Sequence, residues 1–360
     1  MTDAAIPSTE ADAGPPSADA GSTIPPIGST RALLGRSFDL LGRSTDDMRR
    51  ASFYIGAVVL GTTGPFALAT WGLEIVTLDR STVDATRIYL DADPLLIVLG
   101  LLAAAGIGVA AVESRTLAAA ILGGRMAGRP ATTRQALARS RMAFWGAVVA
   151  AIIVALPVGF AQSVVGQLLV PADAPEELVA AVSTIVAALV GAPFAYILAG
   201  IVLGGVDPLE STVRSFRVFR ARRLAAVLVA GIESVALLLL FIGLGAGLDV
   251  AARVAGVLGL GPGSDPAGLA LTTAGIVAVL FALGTLLFTV YAITIAPQVV
   301  MFVGLTHATF GLDRVRPAGS HDPDLAVGGR ARFRWFTRPL LVGFGFGAVV
   351  AAVLLAGAAG

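Results

Sequence analysis

Apolar residues run along this chain in long unbroken stretches, separated by short polar segments rich in arginine and proline. A helix crossing ~30 Å of hydrocarbon needs about 20 such residues. Seven stretches reach that length: 53–76, 94–115, 143–170, 178–205, 224–248, 267–296 and 339–358. The second and sixth carry apolar extensions to 122 and 306. This pattern predicts an all-α fold, a polytopic membrane bundle of about seven transmembrane helices. Asp93-Pro94, Asp207-Pro208 and Asp265-Pro266 each put a capping carboxylate before a proline at a first helical position, so each reads as a helix start. Glu210, three residues after Asp207, completes a capping-box arrangement.

Composition sharpens that picture. The chain is 56% hydrophobic and only 14% charged, with a mean hydropathy of +0.86. Soluble domains run near 25% charged, so this chain has too little polar surface to be one. Its 25 basic residues, all arginine, balance 24 acidic ones. A net charge of +1 provides no field for a nucleic-acid partner. With no cysteine, disulfides and thiolate chemistry are excluded. The two histidines, His307 and His321, lie 14 residues apart with no ligand pattern around them. No nucleophile-elbow, Walker or dinucleotide fingerprint follows a strand-like segment. No metal, cofactor or enzymatic activity is therefore expected.

Arginine placement gives an orientation. Of the 25 arginines, 22 fall before span 1 or in the 2–3, 4–5 and 6–7 connections, counting the 2–3 connection from Arg115 to Arg141. Only Arg80, Arg87 and Arg253 fall on the other side. The positive-inside rule then predicts a multi-pass protein of the plasma (inner) membrane, N-terminus cytoplasmic and C-terminus outside. Residues 1–30 lack any base and any apolar signal region, and read as a disordered acidic cytoplasmic tail. A six-span domain follows over 31–306, then a cytoplasmic loop at 307–338 and a seventh transmembrane helix at 339–360.

A short amphipathic segment bearing Arg-Ser precedes spans 1, 3 and 5: Arg31 to Phe38 with Arg36-Ser37, Gln135 to Ser140 with Arg139-Ser140, and Glu210 to Phe216 with Arg214-Ser215. The first six spans thus read as three repeats of an interfacial helix plus a transmembrane hairpin. In the third copy Leu209, Val213, Phe216 and Phe219 share one helical face beside a stripe of Arg214, Arg217 and Arg220. Such a helix lies in the headgroup plane. With Arg222 and Arg223, the stripe is a candidate site for anionic headgroups on the cytoplasmic leaflet, and membrane lipids are the expected partners.

The run Leu203-Gly-Gly-Val-Asp-Pro-Leu-Glu-Ser-Thr-Val-Arg-Ser-Phe-Arg-Val-Phe-Arg220 resembles a signature in a group of bacterial and archaeal multi-span proteins. That family is named for the membrane domain fused to some glycerophosphodiester phosphodiesterases. Gly128-Arg-Pro-Ala-Thr-Thr-Arg-Gln-Ala-Leu137, the amphipathic segment 31–50, and Pro157, Pro193 and Pro297 also fit. The resemblance covers roughly 31–306 and implies the membrane domain alone. Gly204 stands where an acid is common, and 301–310 lacks the expected bases. The phosphodiesterase itself is a separate barrel of about 250 residues, for which this chain has no corresponding segment.

Charges inside the spans carry what functional signal remains, because an ionised group in hydrocarbon is costly. Glu233 falls near mid-membrane in span 5, and Glu113 lies inside the second helix with Arg115 two residues on. Gln162, Gln167 and Gln298 add polarity in spans 3 and 6. Glu233 is expected to need a partner, either Arg115 or a polar group of spans 3 and 6. Close helix packing is expected at Gly200/Gly204, Gly243/Gly247 and Gly343/Gly347. Pro65, Pro157, Pro193 and Pro297 interrupt or end spans, as in helices that line transport sites. Three functions compete on these observations. A non-enzymatic, lipid-associated or accessory membrane protein leads; a transporter of small molecules or lipids using Glu233 is second; a membrane-embedded lipid enzyme is third.

Overall fold

A computed structural model describes residues 29–78, 80–128, 130–171, 174–261 and 263–310. Expectations for the tail before Ser29, for His321, and for the loop and span from 311 onward lie outside the described residues.

The described residues form nine α-helices: α1 (Thr30–Arg43), α2 (Thr45–Thr77), α3 (Thr82–Met126), α4 (Thr133–Leu169), α5 (Glu176–Gly191), α6 (Ile197–Gly204), α7 (Pro208–Ala221), α8 (Arg223–Val257) and α9 (Pro266–Phe310). A single 3₁₀ turn, Ala192–Phe194, joins α5 to α6. Six helices are long and apolar enough to cross a membrane, with α5, the turn and α6 acting as one. The bundle is the expected one in class.

Local chemistry explains most ends. Asp207 caps α7, accepting from the Glu210 amide at 2.9 Å, and Asp265 accepts from the Gly268 amide at 2.8 Å at the start of α9. Two expectations need correcting. Asp93-Pro94 starts nothing: α3 begins at Thr82 behind a Ser81 cap and runs through Pro94. Glu210 does not reach back to close a capping box but pairs with Arg214 one turn on. The reciprocal box occurs instead at α4, where Thr132 accepts from the Gln135 amide and the Gln135 side chain accepts from the Thr132 amide.

Of the three expected short helices before spans 1, 3 and 5, two form as separate elements. The first and third, α1 and α7, are separate, and each meets its span at a one-residue corner, Ser44 and Arg222. The second is not separate, because Gln135 to Ser140 forms the opening turns of α4 itself. In all three copies the serine of Arg-Ser is buried: Ser37, Ser140 and Ser215. Two of the three hydroxyls link their helix to another element, and the first does not. Ser37 bonds the Leu33 carbonyl in its own helix, while Ser140 meets Thr116 of α3.

The C-terminal half of α3 is the central post. Leu117 to Leu122 are buried on every side, as expected of a helix wrapped by others. α2 and α9 pack along α3 and along each other. α2 and α9 come into tight contact at Gly56 and Gly284. A Cβ built at Gly284 would lie 2.7 Å from the Gly56 Cα and 2.9 Å from the Ile55 carbonyl oxygen. Neither glycine belongs to a GxxxG pair. Of the expected glycine contacts, Gly200 is tight against Ser211, but Gly243 and Gly247 have nothing within 4 Å.

Gly284→Val should therefore push α2 and α9 apart and cost about 1–3 kcal/mol, the usual penalty of overpacking. Gly243→Ala, facing open space, should be neutral or slightly stabilising. Unfolding of both variants in detergent micelles checks this; equal stabilities would contradict the close crossing.

Candidate functional site

Glu113 and Arg115 are two residues apart on α3. At 100° per residue they point to nearly opposite sides of the helix, and each meets an opposite charge there. Arg115 pairs with Glu233 of α8. The second oxygen of Glu233, Oε2, accepts from Gln298 Nε2 of α9 at 2.8 Å. The Arg115 guanidinium also lies 5.5 Å from the centroid of the Tyr291 ring. Three of the expected polar candidates, Glu233, Arg115 and Gln298, are thus one cluster joining α3, α8 and α9.

On the other side of α3, Glu113 is buried and faces Arg141 of α4, Nε to Oε1 3.6 Å. Tyr54 of α2 donates to Glu113 at 3.2 Å and accepts from Arg141 at 3.1 Å. Arg139 reaches across to the Val202 carbonyl at 2.8 Å. Arg115, Arg139 and Arg141 are therefore built into the bundle, not carried on the 2–3 connection to which their sequence positions assign them. Tyr54 and Arg141 were not among the sequence candidates. Each sits at the margin of a span, where a polar residue is unremarkable.

Gln162 takes no part in either cluster. It donates to the Ser183 hydroxyl at 2.8 Å and ties α4 to α5 near the far end of that hairpin.

A cavity of about 350 Å³ opens beside the Arg115–Glu233 pair. α5 packs against both α4 and α8, and the cavity lies between those two. Arg115, Glu233, Ser234 and Gln298 provide its polar lining. α4 provides an apolar wall of Ala147, Ala150, Ala151, Val154, Ala155 and Val158. These positions recur every three or four residues, so they form one stripe along the helix. The remaining wall is the break between α5 and α6.

That break is caused by Pro193, which cannot donate to the ladder. Helix α7 repairs it. Ser215 donates to the Pro193 carbonyl at 2.7 Å and accepts from the Tyr196 amide at 3.2 Å, while Ser211 donates to the Ile197 carbonyl at 2.7 Å. The opposite side of α7 leaves Leu209, Val213 and Phe216 exposed, together with Arg217 and Arg220. Arg222 and Arg223 are exposed at the corner that follows. Two members of the expected pattern are placed differently. Arg214 is half-buried and paired with Glu210, and Phe219 packs toward the core.

The two family-like runs turn out to be turn chemistry of one kind. Each has a glycine at positive φ, Gly128 at 71° or Gly205 at 61°, followed by a capping residue, Thr132 or Asp207. Among the described residues no cluster of His, Asp and Glu could hold a metal ion. Comparison of the chain with protein-family models, curated proteins and solved structures finds no match.

Glu233→Leu leaves the Arg115 guanidinium without its carboxylate, and should lower stability by about 1–3 kcal/mol. Glu233→Gln retains an acceptor for Arg115 and should cost about 1 kcal/mol or less. No loss in either variant, read by micellar unfolding, would mean that the pair adds nothing to the bundle.

Proposed function

We propose that this chain is a non-enzymatic, multi-pass protein of the plasma (inner) membrane that associates with anionic lipid on the cytoplasmic face. The observation that carries the reading is α7. One side of it is keyed into the broken helix by two buried serines, and the other presents exposed apolar side chains beside Arg217 and Arg220. An amphipathic helix of that make-up is stable with its apolar side in the acyl boundary and its arginines among headgroups. The arginine distribution supports a cytoplasmic N-terminus; with a seventh span, the C-terminus is outside.

The non-enzymatic part rests on how the intramembrane acids are used. Glu113 and Glu233 sit on opposite sides of α3, each facing its own arginine. That arrangement favours packing over acid–base chemistry, which needs acids converging on one substrate. The likeness of 203–220 and 128–137 to the glycerophosphodiester phosphodiesterase membrane-domain family stays a proposal, carried by residues that here make helix caps and turns. A second reading, transport of a small molecule or lipid, is favoured by the proline-broken helix beside a cavity that holds Glu233.

A variant with Arg217→Gln and Arg220→Gln, keeping Arg222 and Arg223, tests the leading reading. Reporters fused after residue 30 and within 316–328 should still read cytoplasmic. Co-purified anionic lipid should fall, with ~1 kcal/mol of attraction lost per arginine. Unchanged lipid retention would refute the headgroup role, and a flipped reporter would refute the orientation.

A further inference from the structure

The cavity between α4 and α8 has an uneven supply of donors and acceptors. Both oxygens of Glu233 are engaged, one by Arg115 and one by Gln298. Arg115 is under-used by contrast. A guanidinium has five N–H donors; Glu233 takes one through Nη2, and the Arg115 side chain stays 29% exposed where it lines the cavity. A ligand that completes this site brings acceptor oxygens. A planar guanidinium suits an oxyanion, which it can grip with two parallel N–H groups.

The walls set the rest of the ligand. The α4 stripe from Ala147 to Val158 is apolar throughout. The eleven steps from 147 to 158, at ~1.5 Å each, give it a length of about 16 Å, half the hydrocarbon thickness. Some 350 Å³ lies at the lower end of the ~300–1,000 Å³ typical of ligand pockets, enough for one chain and not two.

Electrostatics adds a proton. Arg115 and Glu233 together are neutral, so a monoanion alone would leave one net negative charge within the bundle, which is costly. One proton taken from solvent by the Glu233 carboxylate restores neutrality, and the carboxyl group keeps its hydrogen bond to Gln298. The charged and titratable groups facing Glu233 are Arg115 from α3 and Tyr291 from α9; α4, α5 and α6 line the cavity with apolar residues only. We propose that this cavity binds a single-chain amphiphile with an oxyanion head, a carboxylate or a phosphate, held by Arg115 and accompanied by one proton on Glu233. The proposal rests on the membrane-spanning reading and is independent of the headgroup role of α7.

The full chain in nanodiscs of uncharged phosphatidylcholine, which offer α7 no anionic lipid, provides the test. Retention of tritiated dodecanesulfonate is measured by scintillation proximity against protein-free discs; the probe's own charge does not change with pH. Uptake of a proton with the anion predicts that retention by the parent strengthens as the pH is lowered. Arg115→Gln should weaken retention at least about tenfold through loss of the charged donor. Glu233→Gln should bind at least as tightly as the parent does in acid, with no pH dependence. Ala151→Phe fills the apolar wall without touching the ion pair, and should abolish retention at parental thermal stability. Competition by dodecanoate and by dodecyl phosphate then distinguishes a carboxylate from a phosphate as the preferred head. Retention of dodecanol as tight as that of the sulfonate, or pH-independent retention by the parent, would overturn the proposal. So would full retention by the Ala151→Phe variant.

Discussion

Neutralising charge inside an apolar bundle is the constraint around which this structure is organised. α3 carries an acid and a base two residues apart, Glu113 and Arg115, on opposite sides of one buried post. Each side has to find a counter-charge on a different neighbour, because an uncompensated ion there is costly. Arg141 and Tyr54 answer on one side, from α4 and α2; Glu233 and Gln298 answer on the other, from α8 and α9. Four helices are thereby tied to α3 at set heights. Shape does the remaining work, as at Gly56 and Gly284, where α2 and α9 touch backbone to backbone.

Having fixed α3, the same contacts place the cavity. Glu233 is held toward α3, Pro193 opens the α5–α6 helix, and the small residues of α4 leave space between α4 and α8. Ser211 and Ser215 then link the broken helix to α7. α7 and the cavity beside the ion pair are therefore joined through one wall.

Much of this was legible in the sequence, for identifiable reasons. Apolar run length gives the spans directly, since hydrocarbon thickness allows few alternatives. Glu233 stood out as a lone acid in an apolar run, and its need for a partner followed from desolvation. Which of several polar groups would meet it did not, because Arg115 and Gln298 lie 118 and 65 residues away in the chain. Asp93-Pro94 misled because capping chemistry is local, while the continuation of α3 through Pro94 belongs to the whole helix. Gly56 and Gly284 carry no motif, and their contact exists only once α2 and α9 cross. The small-residue stripe 147–158 was readable at helical spacing but is indistinguishable from ordinary membrane packing until a gap is seen beside it.

The central claim is that the two sides of α3 are separate, self-neutralising contacts that hold the bundle. Double-mutant cycles on Glu113/Arg141 and on Arg115/Glu233, read from reversible unfolding in mixed micelles, test it most directly. Each pair should show a coupling of about 1–3 kcal/mol, and a cycle crossing between the pairs, Glu113 with Glu233, should be additive within about 0.5 kcal/mol. Couplings near zero within the pairs, or strong coupling across them, would contradict this account.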